Sequence, residues 1–285
     1  MSDMDKFCVI VLCHKRPFDT TTPITLRNCN YTGDIILLLD DEDDTIDLYR
    51  QNFPDTVIDT YSKDELMKVT DAMDITGDKR CAVYARNACF DIAEKHGYYY
   101  FCQLDDDCTT FPYRYMENGK LYRNNHSDLD AVFKAHLEFM ECNENIDAVA
   151  FALPGDFVGG CSSNLNKRLF LNKCMCSWIC FTNRRIHYSG TMNDDVNTYS
   201  MGGMRGKLYY TFNFLMFDAP ATQAVKGGMT EIYLGRGTYM KTFYTILCCP
   251  SFVKVDMFGD RHYRIHHKFD WKHAVPKLIS GRYKK

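Results

Sequence analysis

Tyr98-Tyr99-Tyr100-Phe101-Cys102-Gln103-Leu104-Asp105-Asp106-Asp107-Cys108 is the stretch on which the fold is decided. Residues 98–104 are apolar apart from Gln103, the pattern of a strand buried on both faces, and such strands occupy the middle of α/β sheets. Three carboxylates follow without a spacer. The strand therefore delivers them together to the rim of the sheet, where open α/β proteins bind their ligands. Held side by side they repel one another, and a divalent cation relieves that repulsion. By the alternation of side chains Asp105 and Asp107 share a face and can reach one metal ion, whereas Asp106 points elsewhere, toward the ribose or sugar of a bound donor. A solvated acidic turn has the same composition; the apolar strand ahead of it favours the ligand reading.

Upstream, short apolar runs alternate with amphipathic segments, as in a sheet covered by helices. Residues 7–13 read as a first strand. The threonines at 20–22 offer N-cap hydroxyls to a helix with Pro23 in its first turn and Gly33 at its end. Residues 34–39 form a second strand that presents Asp40 and Asp41 at the rim, and 56–61 a third. The Ala-rich segment 80–96 is a helix ended by Gly97. Downstream, Asn118-Gly119 centres a hairpin over 113–122, and 129–140 is a helix. Further strands are expected at 148–153, 174–181, 208–217 and 252–258, with a helix over 231–247. No repeat or low-complexity linker interrupts the chain. We expect one catalytic domain over 1–285, in which 1–110 binds the donor and 111–285, with its basic, His-rich end, binds the acceptor.

A chain of 285 residues, 46% hydrophobic and 25% charged, can bury one substantial core. Its fourteen cysteines are scattered through apolar runs and read as reduced core residues; Cys174, Cys176 and Cys180 lack the paired spacing of a zinc site. No leader pattern or membrane-length apolar run is present, so a cytoplasmic location is expected. A net charge of −3 argues against a general nucleic-acid binder. The charge is uneven, however. Residues 40–47 hold six carboxylates, whereas 254–285 hold nine Lys or Arg against three Asp, with four His, so a basic C-terminal face is expected.

Transfer of a sugar from a nucleoside diphosphate requires charge on the leaving diphosphate to be neutralised, which a carboxylate-held divalent ion does. Asn193-Asp194-Asp195-Val196 then offers a general base for the attacking hydroxyl, Asp195 first and Asp194 second, with inversion at the sugar. The same spacing fits a helix start that Asn193 or Asp194 caps, and spacing leaves both open. Arg86 and Asn87, on the helix feeding the acidic strand, are placed to meet the diphosphate or sugar hydroxyls, unless Arg86 is an ordinary surface arginine. His14 and Arg16, just past the first strand, and Asp40, past the second, lie where a nucleotide is received. In Arg261-His262-Tyr263-Arg264-Ile265-His266-His267 one imidazole, His266 as first choice, could complete the metal's coordination, or the segment could form a basic acceptor face.

Together, the run Val9-Ile10-Val11-Leu12-Cys13-His14-Lys15-Arg16-Pro17, Ala85-Arg86-Asn87, residues 103–108, Asn193-Asp194-Asp195-Val196 and the His-rich segment resemble the GT-A glycosyltransferases. Within that fold they resemble the phage glycosyltransferases related to the base J glucosyltransferase and associated with TET-type DNA-base oxygenases. The resemblance spans most of the chain. It implies a Rossmann-like nucleotide-binding half, a mixed central sheet, and Mn2+ or Mg2+ as cofactor. It also implies transfer from a UDP-sugar, with glucose the first candidate, to the hydroxyl of a 5-hydroxymethylpyrimidine in phage DNA. A glycan, lipid or protein acceptor fits the same fold. Asp105-Asp106-Asp107-Cys108-Thr109 also fits the Asp-x-Asp-x-Thr pattern of haloacid-dehalogenase-like phosphatases, with Asp105 as nucleophile and Asp107 as acid/base. That motif normally closes a first strand, and three strands precede it here. A module that binds nucleotide or DNA without catalysis would tolerate loss of Asp107.

Overall fold

The computed structural model describes residues 3–73, 80–163, 170–220, 233–235, 237, 239–259 and 263–274. Its frame is one ten-stranded sheet with the order β3-β2-β1-β4-β9-β7-β10-β5-β6, and β8 beside β10. The strands are β1 (Phe7–Leu12), β2 (Asp34–Asp40), β3 (Val57–Tyr61), β4 (Tyr100–Asp105), β5 (Pro112–Glu117), β6 (Lys120–Asn125), β7 (Ile146–Ala152), β8 (Phe170–Leu171), β9 (Trp178–Phe181) and β10 (Leu208–Met216). β1, β2, β3 and β4 are mutually parallel, as are β7 and β10. β9 runs antiparallel between β4 and β7. The sheet is thus mixed but mostly parallel, the α/β architecture expected from the sequence.

Burial on both faces explains the unbroken apolar strands. Phe7, Val9 and Val11 of β1 enter one core with Leu26, Phe133 and Leu137, whereas Cys8, Ile10 and Leu12 enter another with Phe90, Ile92 and Trp178. Helices α1 (Thr22–Asn28) and α5 (Leu129–Glu141) serve the first core. α4 (Val83–Lys95) and α6 (Asp194–Met204) serve the second. Short helices α2 (Ile46–Asn52) and α3 (Lys63–Val69) flank β3. Beyond the sheet, α7 (Met240–Cys248) packs with a two-stranded hairpin of β11 (Val253–Phe258) and β12 (Arg264–Phe269). No helix among the described residues is long and apolar enough to cross a membrane. All fourteen cysteines are free thiols, most of them buried.

Several expected boundaries move. α1 ends at Asn28 and not at Gly33, because Asn30 takes a left-handed φ of +58° and turns the chain. The apolar segment 174–181 pairs as a strand only from Trp178, since Cys176 sits at φ +56°. Of the helix expected over 231–247, the continuous part is α7, preceded by Gly237 at φ +82°; residues 231, 232, 236 and 238 lie outside the described residues. Arg261, His262 and residues 275–285 of the basic C-terminal stretch also lie outside them.

Candidate active site

The acidic triplet leaves the end of β4, the fourth strand along the chain, which closes the parallel block β3-β2-β1-β4 against antiparallel β9. Its backbone is held by the threonine run. Thr22 Oγ1 donates to the Asp105 carbonyl at 2.6 Å and accepts from the Cys108 amide at 2.9 Å. Thr21 and Thr25 hydroxyls both donate to the Cys108 carbonyl at 2.9 Å, and the Thr21 and Thr22 amides donate to the Asp106 carbonyl. This corrects the sequence expectation of N-cap hydroxyls, for Thr21 at the N-cap makes no side-chain cap. The turn's buried carbonyls and amide need partners more than the first turn of a helix that can use other donors and acceptors.

Within the triplet the side chains divide as alternation requires. Asp105 and Asp107 keep solvent access at 37% and 26%, whereas Asp106 is 2% exposed. Asp106 is clasped by Arg16 through both carboxylate oxygens, one of them by Nε at 3.2 Å. Its pairing with Arg16 holds it inside the protein. Burial lifts the Asp106 carboxyl to about 7 against the pull of Arg16, with Asp107 and Asp105 pushing the same way as burial. Burial likewise raises Asp105 to about 6, opposed by Arg86 and reinforced by Asp107.

Arg86, 4% exposed at its side chain, is the second centre. Its Nη2 donates to Asp105 at 3.1 Å and its Nε to Asp194 at 2.7 Å, with Asp195 at 3.6 Å from Nε. Burial alone would weaken this cation; Asp195, Asp105 and Asp194 together hold its pKa well above the ordinary value. Its Nη1 is buried and has no hydrogen-bond partner among the described residues. A buried N–H of a guanidinium left without an acceptor is costly, and an incoming anionic oxygen would satisfy it.

Asp194 and Asp195 open α6 but differ in freedom. Asp195 is 9% exposed and has both oxygens occupied, one by Trp178 Nε1 at 2.7 Å and the other by the Cys176 amide at 2.8 Å. Asp194 is 18% exposed, and the hydrogen bond its carboxylate accepts comes from Arg86. Burial pushes the Asp194 carboxyl above the usual range in spite of Arg86, with Asp195 and Asp105 adding to the rise. Asn193, at φ +56°, makes no side-chain cap; its amide instead donates to the Lys241 carbonyl at 3.1 Å and Thr245 Oγ1 at 3.0 Å, tying the start of α6 to α7.

The remaining expected residues fall in three places. His14 Nδ1 lies 3.1 Å from Asp40, which also receives Lys63 Nζ at 3.1 Å. Burial raises Asp40, but His14 and Lys63 outweigh it and hold the carboxyl down at about 2. These groups and Arg16 line up at the C-terminal ends of β1 and β2, beside the acidic turn. Asn87 does not open onto that rim: its side chain accepts from the Tyr188 amide at 2.9 Å and donates to the Tyr188 carbonyl at 3.0 Å, pinning the loop that leads to Asn193. His266 sits on β12 with Nδ1 2.9 Å from the His267 carbonyl. Among the described residues no three His, Cys, Asp or Glu side chains are grouped to hold a metal ion, so His266 is not gathered with Asp105 and Asp107.

The residues present nevertheless fit a divalent ion of the magnesium or manganese kind. Such ions take all-oxygen sets and are commonly held by one or two carboxylates with substrate phosphates completing the shell. Asp105 and Asp107, the solvent-reaching members of the triplet, would supply the carboxylates. The five carboxylates Asp105, Asp106, Asp107, Asp194 and Asp195 stand against the two cations Arg16 and Arg86, an excess that a cation would offset. Sequence reading missed Thr22, Lys63, Cys176 and Trp178, whose roles exist only once distant segments meet.

Comparison with known proteins adds the family. No curated protein matches the sequence. Among solved structures the chain is similar to glucosyl-3-phosphoglycerate synthase from Mycobacterium tuberculosis in complex with Mg2+ and UDP, with 12% identity, 96% of this chain and 89% of that chain covered, and a TM-score of 0.49. The same synthase with Mn2+ and UDP-glucose is similar at 11% identity, 96% and 88% coverage, and a TM-score of 0.47. The profile of the TET-associated glycosyltransferases matches residues 7–228. That match runs from β1 through β10 and takes in every carboxylate and arginine of the site above: the chain belongs to the TET-associated glycosyltransferase family.

Proposed function

We propose that this glycosyltransferase moves a sugar, with glucose the first donor to test, from a UDP-sugar to the hydroxymethyl oxygen of a 5-hydroxymethylpyrimidine in DNA, with inversion. The observation that carries the reading is the shared guanidinium: Arg86 bonds Asp105 of the donor-side turn and Asp194 of the acceptor-side helix at once. Leaving group and nucleophile must meet at one carbon, and this contact puts the groups that serve each within one side chain of each other.

In the proposed reaction 1–110 receives the donor and 111–285 the acceptor. His14, Arg16 and Asp40 form the rim that receives the nucleoside, and the unpartnered N–H of Arg86 meets a diphosphate oxygen. Asp105 and Asp107 hold the Mn2+ or Mg2+, which when bound neutralises charge on the leaving diphosphate. Asp194 accepts the hydroxyl proton as that oxygen bonds to the sugar's anomeric carbon and the bond from that carbon to the diphosphate breaks, releasing UDP. Asp194 takes precedence over Asp195 because it is the more exposed of the two, whereas each oxygen of Asp195 is already engaged by a buried donor. Asp195 holds the start of α6 in place. The target base must leave a duplex stack or be presented unpaired.

The test incubates the protein with Mn2+, a panel of UDP-sugars and DNA containing 5-hydroxymethylcytosine or 5-hydroxymethyluracil, and reads the nucleosides by mass after digestion. A sugar-bearing nucleoside with release of UDP is the expected result. If modified DNA gives no more UDP than unmodified DNA with every donor, the DNA acceptor is wrong, and a glycan, lipid or protein hydroxyl takes its place.

A further inference from the structure

The hairpin that follows the acidic turn has two unlike faces. β5 and β6 pair Tyr115 with Tyr122 and Tyr113 with Asn124, while Arg114 pairs with Arg123 and Met116 with Leu121. Alternation puts these two sets on opposite sides. The second side is turned to the protein: Leu121 packs on Ala152, Phe157 and Met216, and the Arg114 guanidinium lies 5.2 Å above the Phe157 ring. The first side carries a ladder of rings. His126 is 5.0 Å from Tyr113, Tyr113 stacks 5.8 Å from Tyr115 at 27°, and Tyr115 stacks 5.5 Å from Tyr122 at 19°.

A cross-strand tyrosine pair by itself stabilises a hairpin. Four rings in succession, ending on the strand at the sheet's edge with Tyr115 and Tyr122 still 36% and 37% exposed, exceed what that role needs. The charges on the ring side are Lys120 and Glu117, which pair across the strands, whereas Arg114 and Arg123 lie on the other side, over Phe157 and against Asp218. Exposed stacked rings suit unpaired nucleobases, because every base has a π-face. Position agrees with this. Tyr113 is six residues beyond Asp107, so it lies within about 20 Å of it, about six base steps.

We propose that the Tyr113, Tyr115 and Tyr122 ladder is a stacking platform for unpaired bases flanking the target nucleotide. The proposal rests on the DNA-acceptor reading and gives it a surface. Extraction of a target base leaves neighbouring bases unstacked, and the ladder replaces the partners they lose. It also accounts for how an acidic protein engages a polyanion: contact is made through rings and not through a broad basic surface.

The experiment measures fluorescence anisotropy of a labelled single-stranded oligodeoxynucleotide containing one 5-hydroxymethylcytosine, with Mn2+ and UDP present. The pair Tyr115→Ala with Tyr122→Ala is expected to weaken binding on the order of 10-fold or more, while Tyr115→Phe with Tyr122→Phe stays within about twofold because the rings remain. UDP affinity by calorimetry stays that of the parent in both. If the alanine pair does not fold by circular dichroism, Tyr115→Leu with Tyr122→Leu keeps apolar bulk without π-faces and is expected to show the same loss. Parent-like binding by a folded ring-less variant overturns the platform and leaves the acceptor reading standing. A parent protein that does not bind the oligonucleotide at low salt overturns both.

Discussion

Two arginines face the same acidic turn and do opposite things. Arg16 meets one deeply buried carboxylate, Asp106, in a two-pronged pair, with Asp107 at 3.8 Å as a second, looser partner. Arg86 meets Asp105 and Asp194 directly, approaches Asp195, and still has a buried N–H to give. A matched bidentate pair satisfies its members and fixes geometry. An overloaded guanidinium with an unfilled donor is poised for something further. We read the first as the clamp that holds the turn and the second as the place where chemistry occurs, in keeping with the tendency of unsatisfied, electrostatically strained groups to mark functional sites.

The largest break in that comparison should come from Asp107→Ala. The side chain is partly exposed and its removal leaves the Arg16 clamp on Asp106 intact, so the melting temperature should hold. Transfer should fall by at least about 10²- to 10³-fold, the scale of losing one group that stabilises developing charge, and chelation of the metal should have a like effect. Comparable transfer by the variant would remove Asp107 from the metal-holding pair.

The two neighbours on α6 should separate next. Asp194→Asn removes the proposed base and should lower kcat by about 10²- to 10⁴-fold with little change in stability. Asp195→Ala strips the acceptor from Trp178 Nε1 and the Cys176 amide and should cost about 2–5 kcal/mol in stability, seen as a lowered melting temperature. The reverse pattern would restore Asp195 as the base.

The arginines can then be compared by the same change. Lysine keeps the charge but loses the planar fork. Arg86→Lys cannot serve Asp105, Asp194 and a substrate oxygen together, and we expect a kcat loss of about 10²-fold by steady-state kinetics. Arg16→Lys still places a cation beside Asp106 and should lose no more than about tenfold, with a stability cost of about 1–3 kcal/mol. Equal losses would erase the distinction.

The smallest effect concerns the fold beneath both clusters. His136 is buried between Phe151 and Phe212, and burial lowers its pKa from 6.5 to about 4 in spite of the hydrogen bond to the Val132 carbonyl. Between those values the unfolded chain binds the proton and the folded chain does not, so stability is full above 6.5 and declines on acidification toward 4. The slope is up to about 1.4 kcal/mol per pH unit. In thermal melts from pH 7 to pH 4.5, His136→Phe should lose less stability on acidification than the parent, by up to that slope. An unchanged slope in that variant would overturn the reading of His136 as a group kept neutral by the fold.

The parallel block β1 to β4, the helix before β4 and the acidic turn after it were all legible in the residues. Strands buried on both faces must be apolar throughout, and carboxylates that directly follow such a strand are carried to the ligand-binding rim of the sheet. The family followed from short motifs at the same places. What the one-dimensional pattern could not carry was which side chains meet. Thr22 and Asp105 are 83 residues apart, and Arg86 and Asp194 are 108 apart. Their contacts depend on β9 entering antiparallel between β4 and β7, which brings Trp178 level with Gln103 and so decides that Asp195 is consumed by Trp178 and Asp194 left open. A strand's burial is written in its own composition. A carboxylate's freedom is set by neighbours from other segments, and only the packed sheet chooses them.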